Sequence, residues 1–424
     1  MKILFLTHRL PFPPDKGDKI RSFHILKYLA ARHEVHLVCW ADGASEIQAA
    51  DKLKELIPNM WCVRFQPKKQ RMDMLKALVS GKPLSVHYFY AAELKNQVDE
   101  VLQKTKFDAL FVYSSNMAEY VLDANIPNRI IDFCDLDSEK FNQYSDIYKP
   151  PKSWLCKFEG RRLGRYEEKV ARKFDHVFFI NPIERHLFSN GHDDRKTSVL
   201  SNGVDLNHYF GDDLPDDPAK RTLDGDVSIV FTGSMDYIPN IDAATWFAKS
   251  VFPKIKAIIP EAQFHILGRN PAKSVRKLNN PERSVFVSGY VEDLRTRIKE
   301  ATVFVAPMRI ARGMQTKILE AMACGVPVVT SKASAKGIGA WPGREVLVAD
   351  TEAEFAKQVL ILLLNHKMHE GLRKRAFEFL KQKFNWENNL CQLDRFIPTS
   401  KQANEHAQKE NGKYAEKVDS TSPN

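Results

Sequence analysis

Short apolar runs alternate with longer stretches of helical periodicity from one end of this chain to the other. That alternation predicts parallel sheets covered by helices on both faces, because consecutive parallel strands need a crossover long enough to hold a helix. In the first half strands are expected at Ile3–Leu6, Val35–Cys39, Trp61–Phe65, Ala109–Tyr113, Arg129–Phe133, His176–Ile180 and Ser198–Leu200, with helices such as Ile20–Ala31 and Glu159–Lys173 between them. A second series follows at Ser228–Thr232, Gln263–Leu267, Val285–Ser288, Val303–Ala306 and Pro327–Thr330. The polar stretch Gly211-Asp-Asp-Leu-Pro-Asp-Asp-Pro reads as a linker, so two α/β units hinged near residues 205–222 are expected. Ligands of such sheets bind beyond the carboxyl ends of the strands, which makes a cleft between the units the expected site.

At 424 residues, two domains are the natural expectation. The 43% hydrophobic and 27% charged content is that of a soluble globular protein, and no apolar run reaches the roughly 18 residues of a spanning helix. The opening run ends at Leu6 and meets Arg9 and a proline cluster, so it reads as a buried strand rather than a leader, and a cytoplasmic protein is expected. The six cysteines are scattered without metal or redox spacing and should be reduced. No metal site is expected. A net charge of +10 points to an anionic partner. With no nucleic-acid module in view, phosphorylated substrates or an anionic membrane surface fit better than nucleic acid. Residues 399–424 are polar, with few apolar side chains, and read as a disordered tail.

The most chemically suggestive stretch is Lys317-Ile-Leu-Glu320-Ala-Met-Ala-Cys-Gly325-Val-Pro-Val-Val. A loop from Arg309 to Gln315 opens a short amphipathic helix near Thr316, which stops at Gly325 ahead of a buried strand. Arg312 and Gly313 in the loop and Lys317 in the first turn gather positive charge where helix N–H groups also point. Glu320 lies one turn on, on the same face. A diphosphate beside a sugar diol would suit both groups. An ordinary amphipathic helix fits the spacing equally well, with Leu319, Met322 and Ala323 in the core and Lys317 and Glu320 as a weak surface pair.

Other turns share that grammar. Gly17 precedes a helix after the first strand, and Gly233-Ser234 follows the first strand of the second series; each suits close approach to an anion, or is simply a tight turn. Arg269 follows another strand, and Tyr290 with the Val291 backbone offers a ring and amides to a base; each is as easily loop chemistry. Asp132 and Asp135 end a strand where an acceptor hydroxyl would need orienting, whereas Asp137 reads as a helix N-cap. Among thirteen histidines only His8 is placed near the cleft. The helix Lys157–Lys173 buries Leu163, Tyr166, Val170 and Phe174 and turns Arg161, Arg165, Lys169 and Arg172 elsewhere. A second basic stretch runs from Lys68 to Lys76. Both suit either solvent or anionic lipid.

Three blocks carry a family resemblance: Ser201-Asn-Gly-Val-Asp205, Glu320-Ala-Met-Ala-Cys-Gly-Val-Pro-Val-Val329 and Phe384-Asn-Trp-Glu387. In these the chain resembles the retaining glycosyltransferases of family 4, which have the GT-B fold of two Rossmann-like domains whose parallel sheets face a cleft. The resemblance implies an N-terminal acceptor-binding domain (1–205), a C-terminal nucleotide-sugar domain (206–385) and a closing helix (386–398) that returns to the first domain. The blocks Thr7–Pro14, Gly233–Ala243 and Arg312–Lys317 are similar to sugar transferases tied to exosortase/PEP-CTERM exopolysaccharide systems. Two departures stand out. The family's first glutamate, eight positions before Glu320, is Arg312 here, and the usual Arg and Lys are missing between Met235 and Asn240.

The implied function is a metal-independent hexosyl transfer from a nucleoside-diphosphate sugar to a saccharide or lipid-linked acceptor, in the cytoplasm or at the inner membrane face, without a cofactor. Lys317 and Arg312 would neutralise the diphosphate and Asp135 would orient the acceptor. Gly17, Gly233, Ser234, Arg269, Tyr290, Val291, Gly313, Met314, Gln315, Thr316 and Glu320 would bind the donor. A nucleotide-sugar 2-epimerase and a non-catalytic nucleotide-sugar binder are the rivals.

Overall fold

A computed structural model describes residues 1–67, 70, 81–189, 194–205, 227–311 and 313–399. The linker at 211–218, most of the basic stretch 68–76, the tail 400–424 and Arg312 lie outside the described residues. The chain divides into two compact units, residues 1–200 joined by the segment from Glu387, and Ser201–Trp386.

The first unit holds seven strands, β1 (Lys2–Thr7), β2 (Glu34–Ala41), β3 (Asn59–Arg64), β4 (Ala109–Tyr113), β5 (Arg129–Cys134), β6 (His176–Phe179) and β7 (Thr197–Val199). They form one parallel sheet in the order β3-β2-β1-β4-β5-β6-β7. The second unit repeats the plan with β8 (Ser228–Thr232), β9 (Gln263–Leu267), β10 (Val285–Ser288), β11 (Val303–Ala306), β12 (Val328–Thr330) and β13 (Leu347–Val348), in the order β10-β9-β8-β11-β12-β13, again all parallel. Strand order reverses between β1 and β4 and between β8 and β11, the places where such sheets open a crevice at their carboxyl ends.

The central strands are apolar without alternation because helices cover both faces: Ile3–Leu6, β4 and β11 are almost wholly buried. β13 has two residues, too few to carry a sequence signal. The helix expected from Lys157 begins at Lys152 and runs to Lys173. Its inner face carries two carboxylates besides the apolar stripe. Glu159 accepts from Leu84 N, Ser85 N and Ser85 Oγ, capping the helix Leu84–Phe89. Glu167 accepts from Ser138 N and Oγ, and burial pushes its carboxyl up to about 8. Ser138 follows the first residue of the helix Asp137–Ile147, so the partner helix supplies the cap and not Asp137, which pairs with Lys140.

Asp132 also departs from expectation. Its carboxylate is fully buried and takes a two-pronged pair from Arg21 of the helix Gly17–Ala30, Nε to Oδ2 at 2.7 Å and Nη2 to Oδ1 at 3.0 Å. It joins a helix to the sheet and does not face a ligand. In the second unit two of the resemblance blocks pack on each other. A Cβ on Gly203 would come within 2.5 Å of Trp386, and Val204 N donates to Phe384 O at 2.7 Å.

Candidate active site

The carboxyl edge of the second sheet is assembled from backbone brought unusually close. Gly233 N donates to Leu267 O, Met235 N to Arg269 O and Gly268 N to Gly289 O, stitching together the turns after β8, β9 and β10. A Cβ on Gly268 would lie 1.7 Å from Gly233 O, so that position admits glycine alone. A Cβ on Gly233 would meet Asn240 at 2.6 Å and the Lys317 ammonium at 3.1 Å. The turn after β8 is therefore a floor over which Lys317 reaches.

Lys317 sits in the first turn of the helix Thr316–Ala323, ahead of which Gln315 supplies no side-chain cap. Its Nζ donates to Asn240 Oδ1 at 2.5 Å, lies 3.9 Å from Met308 Sδ and stands 4.7 Å from the centre of the Phe231 ring. These are neutral partners. Burial pulls the ammonium down to about 7, opposed by the Glu320 carboxylate, and burial raises the Glu320 carboxyl against the pull of Lys317. The Glu320 carbonyl accepts from Cys324 N at 2.9 Å, while its carboxylate has no hydrogen-bond donor among the described residues. Among the described residues this half-buried cation is held by dipoles and a ring, next to a carboxylate with unused acceptor capacity. An anion arriving there would restore the full charge on Lys317. By contrast Arg309, at the start of the same loop, is neutralised by a two-pronged pair with Asp242.

The structure thus gathers Gly233, Ser234, Arg269, Lys317 and Glu320 at one edge, with Gly313, Met314, Gln315 and Thr316 on the loop leading into the Lys317 helix. Gly313 adopts φ 61°, and its carbonyl lies where a Cβ on Gly337 would fall, 2.5 Å away. Tyr290 and Val291 follow β10, two strands out from β8; Tyr290 is exposed and Val291 packs on the core. Asn240 and Phe231, which hold Lys317, escaped the sequence reading, although both flank the turn it singled out.

The first sheet's carboxyl edge differs in character. His8 follows β1, stacks on Tyr113 at the end of β4, and sets Nε2 3.3 Å from Asp18 Oδ2. Arg9 reaches the same carboxylate at 3.3 Å. Burial opposes the charge of Asp18, but the His8 hydrogen bond and the His8 and Arg9 charges hold its carboxyl well below the usual range. Asp135 follows β5; burial, then the Glu184 carboxylate, push it up to about 7. Four buried polar atoms along this edge find no protein partner among the described residues: Thr7 Oγ1, His8 Nδ1, Asn116 Oδ1 and Asp135 Oδ1. Such clustering marks a place that a polar ligand or water completes. Gly17 is exposed at the same edge, next to Asp18. Among the described residues no group of three or more His, Cys, Asp or Glu is placed to hold a metal ion.

Residues 226–365 match the family model described as glycosyl transferases group 1. The second unit therefore carries a domain of that kind, and the loops around Lys317 fall inside it. Across the whole chain, an uncharacterized 44.6 kDa protein in the cps region of Klebsiella pneumoniae is 22% identical over 407 residues, covering 90% of this chain and 96% of that one. Among solved structures, Anabaena HepE in complex with UDP and glucose superposes with a TM-score of 0.66 at 17% identity, covering 94% and 99% of the two chains. Sucrose-phosphate synthase from Thermosynechococcus elongatus gives 0.66 at 16% identity, covering 93% and 98%. TarM gives 0.64 at 12%, covering 94% and 98%. The fold is that of the GT-B glycosyltransferases. No helix among the described residues is long and apolar enough to cross a membrane.

Proposed function

We propose that the protein is a retaining glycosyltransferase of family 4 that moves a hexose from a nucleoside diphosphate to a saccharide acceptor, lipid-linked, in exopolysaccharide assembly. The observation that carries this reading is Lys317, a cation held by neutral groups at the open end of the second sheet, one turn from a carboxylate to which no described residue donates. Glu320 would accept from the ribose hydroxyls and Lys317 would meet the diphosphate. The group 1 match over this segment supports that assignment, as does the UDP bound to HepE. The cps-region relative supports a polysaccharide role, and the Gly233–Ala243 block favours the exosortase-linked branch.

In the transfer the acceptor oxygen bonds to the anomeric carbon on the face the diphosphate leaves. The carbon–oxygen bond to the diphosphate breaks with its electron pair on the phosphate oxygen, which takes the acceptor's proton. The second unit's part is electrostatic: Lys317 and the first-turn N–H groups stabilise the charge that grows on the diphosphate. Asp135, beside the orphaned acceptors of the first unit, would orient the incoming hydroxyl. Metal is not required in this scheme, so turnover should survive EDTA.

A thermal-shift panel of nucleoside diphosphates and their sugars tests the reading, since a bound ligand stabilises by RT ln(1 + [L]/Kd). UDP or GDP should raise the melting temperature and Lys317→Ala should abolish the rise. No response to any nucleotide would overturn it. Incubating the donor alone separates the rivals: an epimerase converts it without an acceptor, and a binding protein turns over nothing with any acceptor.

A further inference from the structure

We infer that the tip of the helical hairpin Asp137–Lys173 is a docking site for the surface of an anionic lipid bilayer. The hairpin leaves β5 at the sheet's carboxyl edge. Close packing of Gly160 against Ser138 and Asn142, where an added Cβ would lie 2.5 Å from Asn142 Oδ1 and 3.1 Å from Ser138 O, sets its register. Ser138 begins the outgoing helix at that edge, so residues 152–159 of the returning helix stand about two turns beyond it.

That overhang is apolar where it should be polar. Trp154 is 68% exposed, Leu155 50%, Phe158 43%, and Ile147 across the turn 47%. Trp154 and Phe158 share one helix face, and Leu155 flanks it. From Ile147 to Phe158 the sequence holds Lys149, Lys152 and Lys157, all exposed, and no acidic residue. The flanking acids are Asp146, next to Ile147, and Glu159, which is turned inward to cap Leu84–Phe89. The same outer face continues with exposed Arg161, Arg165, Lys169 and Arg172. An indole and apolar side chains ringed by cations match the boundary between headgroups and acyl chains, where aromatic rings anchor and lysines meet lipid phosphate.

The site lies at the edge of the first unit that carries His8 and Asp135, so docking would bring that edge to the bilayer. The benefit to a lipid-linked acceptor rests on the function proposed above; the docking itself does not.

The test is co-sedimentation of the full chain with vesicles of phosphatidylglycerol and phosphatidylcholine, compared with phosphatidylcholine alone. The anionic vesicles should bind at least about tenfold more tightly. Replacing Lys149, Lys152 and Lys157 with Gln should cost about a hundredfold, from about fivefold per cation (~1 kcal/mol). Trp154→Ser with Leu155→Ser and Phe158→Ser should cost at least about tenfold. Equal binding to neutral vesicles, or serine and glutamine variants that bind like the parent, would overturn the inference. So would light scattering that shows a dimer dissolved by the serine variant, because the patch would then join two copies of the chain. UDP thermal shifts on the same samples keep the two readings apart. Nucleotide response without vesicle binding removes the docking site alone, and the reverse removes the transferase alone.

Discussion

The two sheets share one strand order and treat charge at their carboxyl edges in opposite ways. At the first edge two carboxylates are answered, Asp132 by Arg21 in the interior and Asp18 by His8 and Arg9. The buried polar atoms without a partner there among the described residues are Thr7 Oγ1, His8 Nδ1, Asn116 Oδ1 and Asp135 Oδ1, the last on a carboxyl pushed up to about 7. In the second unit Arg309 is answered by Asp242, whereas Lys317 is left with Asn240 and a ring. An edge that lacks hydrogen-bond partners suits a hydroxylated ligand; an edge whose lysine makes no contact ion pair among the described residues suits an anion. The same strand order around the crevice thus presents two different kinds of edge, set by which side chain lacks a partner among the described residues.

The strongest way to break this comparison is to open the answered pair. Asp132→Ala would leave the Arg21 guanidinium buried and uncompensated, a loss on the order of 3–5 kcal/mol. A unit of this size should then melt on the order of 10 °C lower by calorimetry. Asp135→Ala, three residues on, breaks no such pair and should not do this. Equal melting of the Asp132 variant and the parent would show that the interior pair is not what secures the first unit.

Removing the unanswered cation attacks the other side. Lys317→Ala should fold and lose about 10²–10³ in turnover, the scale for deleting one group that stabilises developing charge. Near-normal turnover would refute the role. Glu320→Ala should weaken donor binding by about 10–100-fold, as expected for a charged hydrogen-bond acceptor; unchanged affinity by titration calorimetry would refute that.

A smaller effect sharpens the same point. Free Lys317 titrates near 7, and a diphosphate would lift it, so at pH 8 binding should take up a proton. Calorimetry of UDP binding in two buffers of different ionisation enthalpy reads this directly. Uptake approaching one proton is expected at pH 8 and little at pH 6, where the lysine already carries its charge; equal values at both would dismiss the coupling.

Much of the architecture was legible because buried parallel strands are continuous apolar runs. β8, β9, β10 and β11 begin and end where the sequence places them. β13 was not, since two residues carry no pattern. The helix Lys152–Lys173 begins earlier than its basic stretch because the preceding turn is aromatic and exposed, which periodicity cannot distinguish from a loop. At the site, Lys317 and Glu320 were readable from spacing on one helix. Asn240 as the lysine's partner was not, for it lies 77 residues away and only the β8–β11 crossover brings it near. Asp132 was misplaced for a related reason. Strand position puts it at the edge, but nothing in local sequence reveals Arg21, 111 residues earlier. Cys39 and Cys62 likewise lack any motif spacing, yet register pairing of β2 and β3 sets their sulfurs 3.1 Å apart.

The mildest test concerns Asp135, whose raised carboxyl distinguishes the first edge from an ordinary ion-paired one. Its folded value of about 7 lies above the usual 3.8, so between these limits the folded protein holds a proton that the unfolded chain releases. Stability must therefore fall as pH rises from about 4 to 7, with the whole penalty present above 7. Asp135→Asn removes that slope. Its melting temperature should pull ahead of the parent's across this range and then hold a constant lead, of about a few degrees once partial exposure is allowed for. A lead that is the same at pH 4 and pH 8 would mean the carboxyl is solvated in solution. Asp135 would then be one more surface acid, and the first edge would lose the group proposed to meet the acceptor hydroxyl.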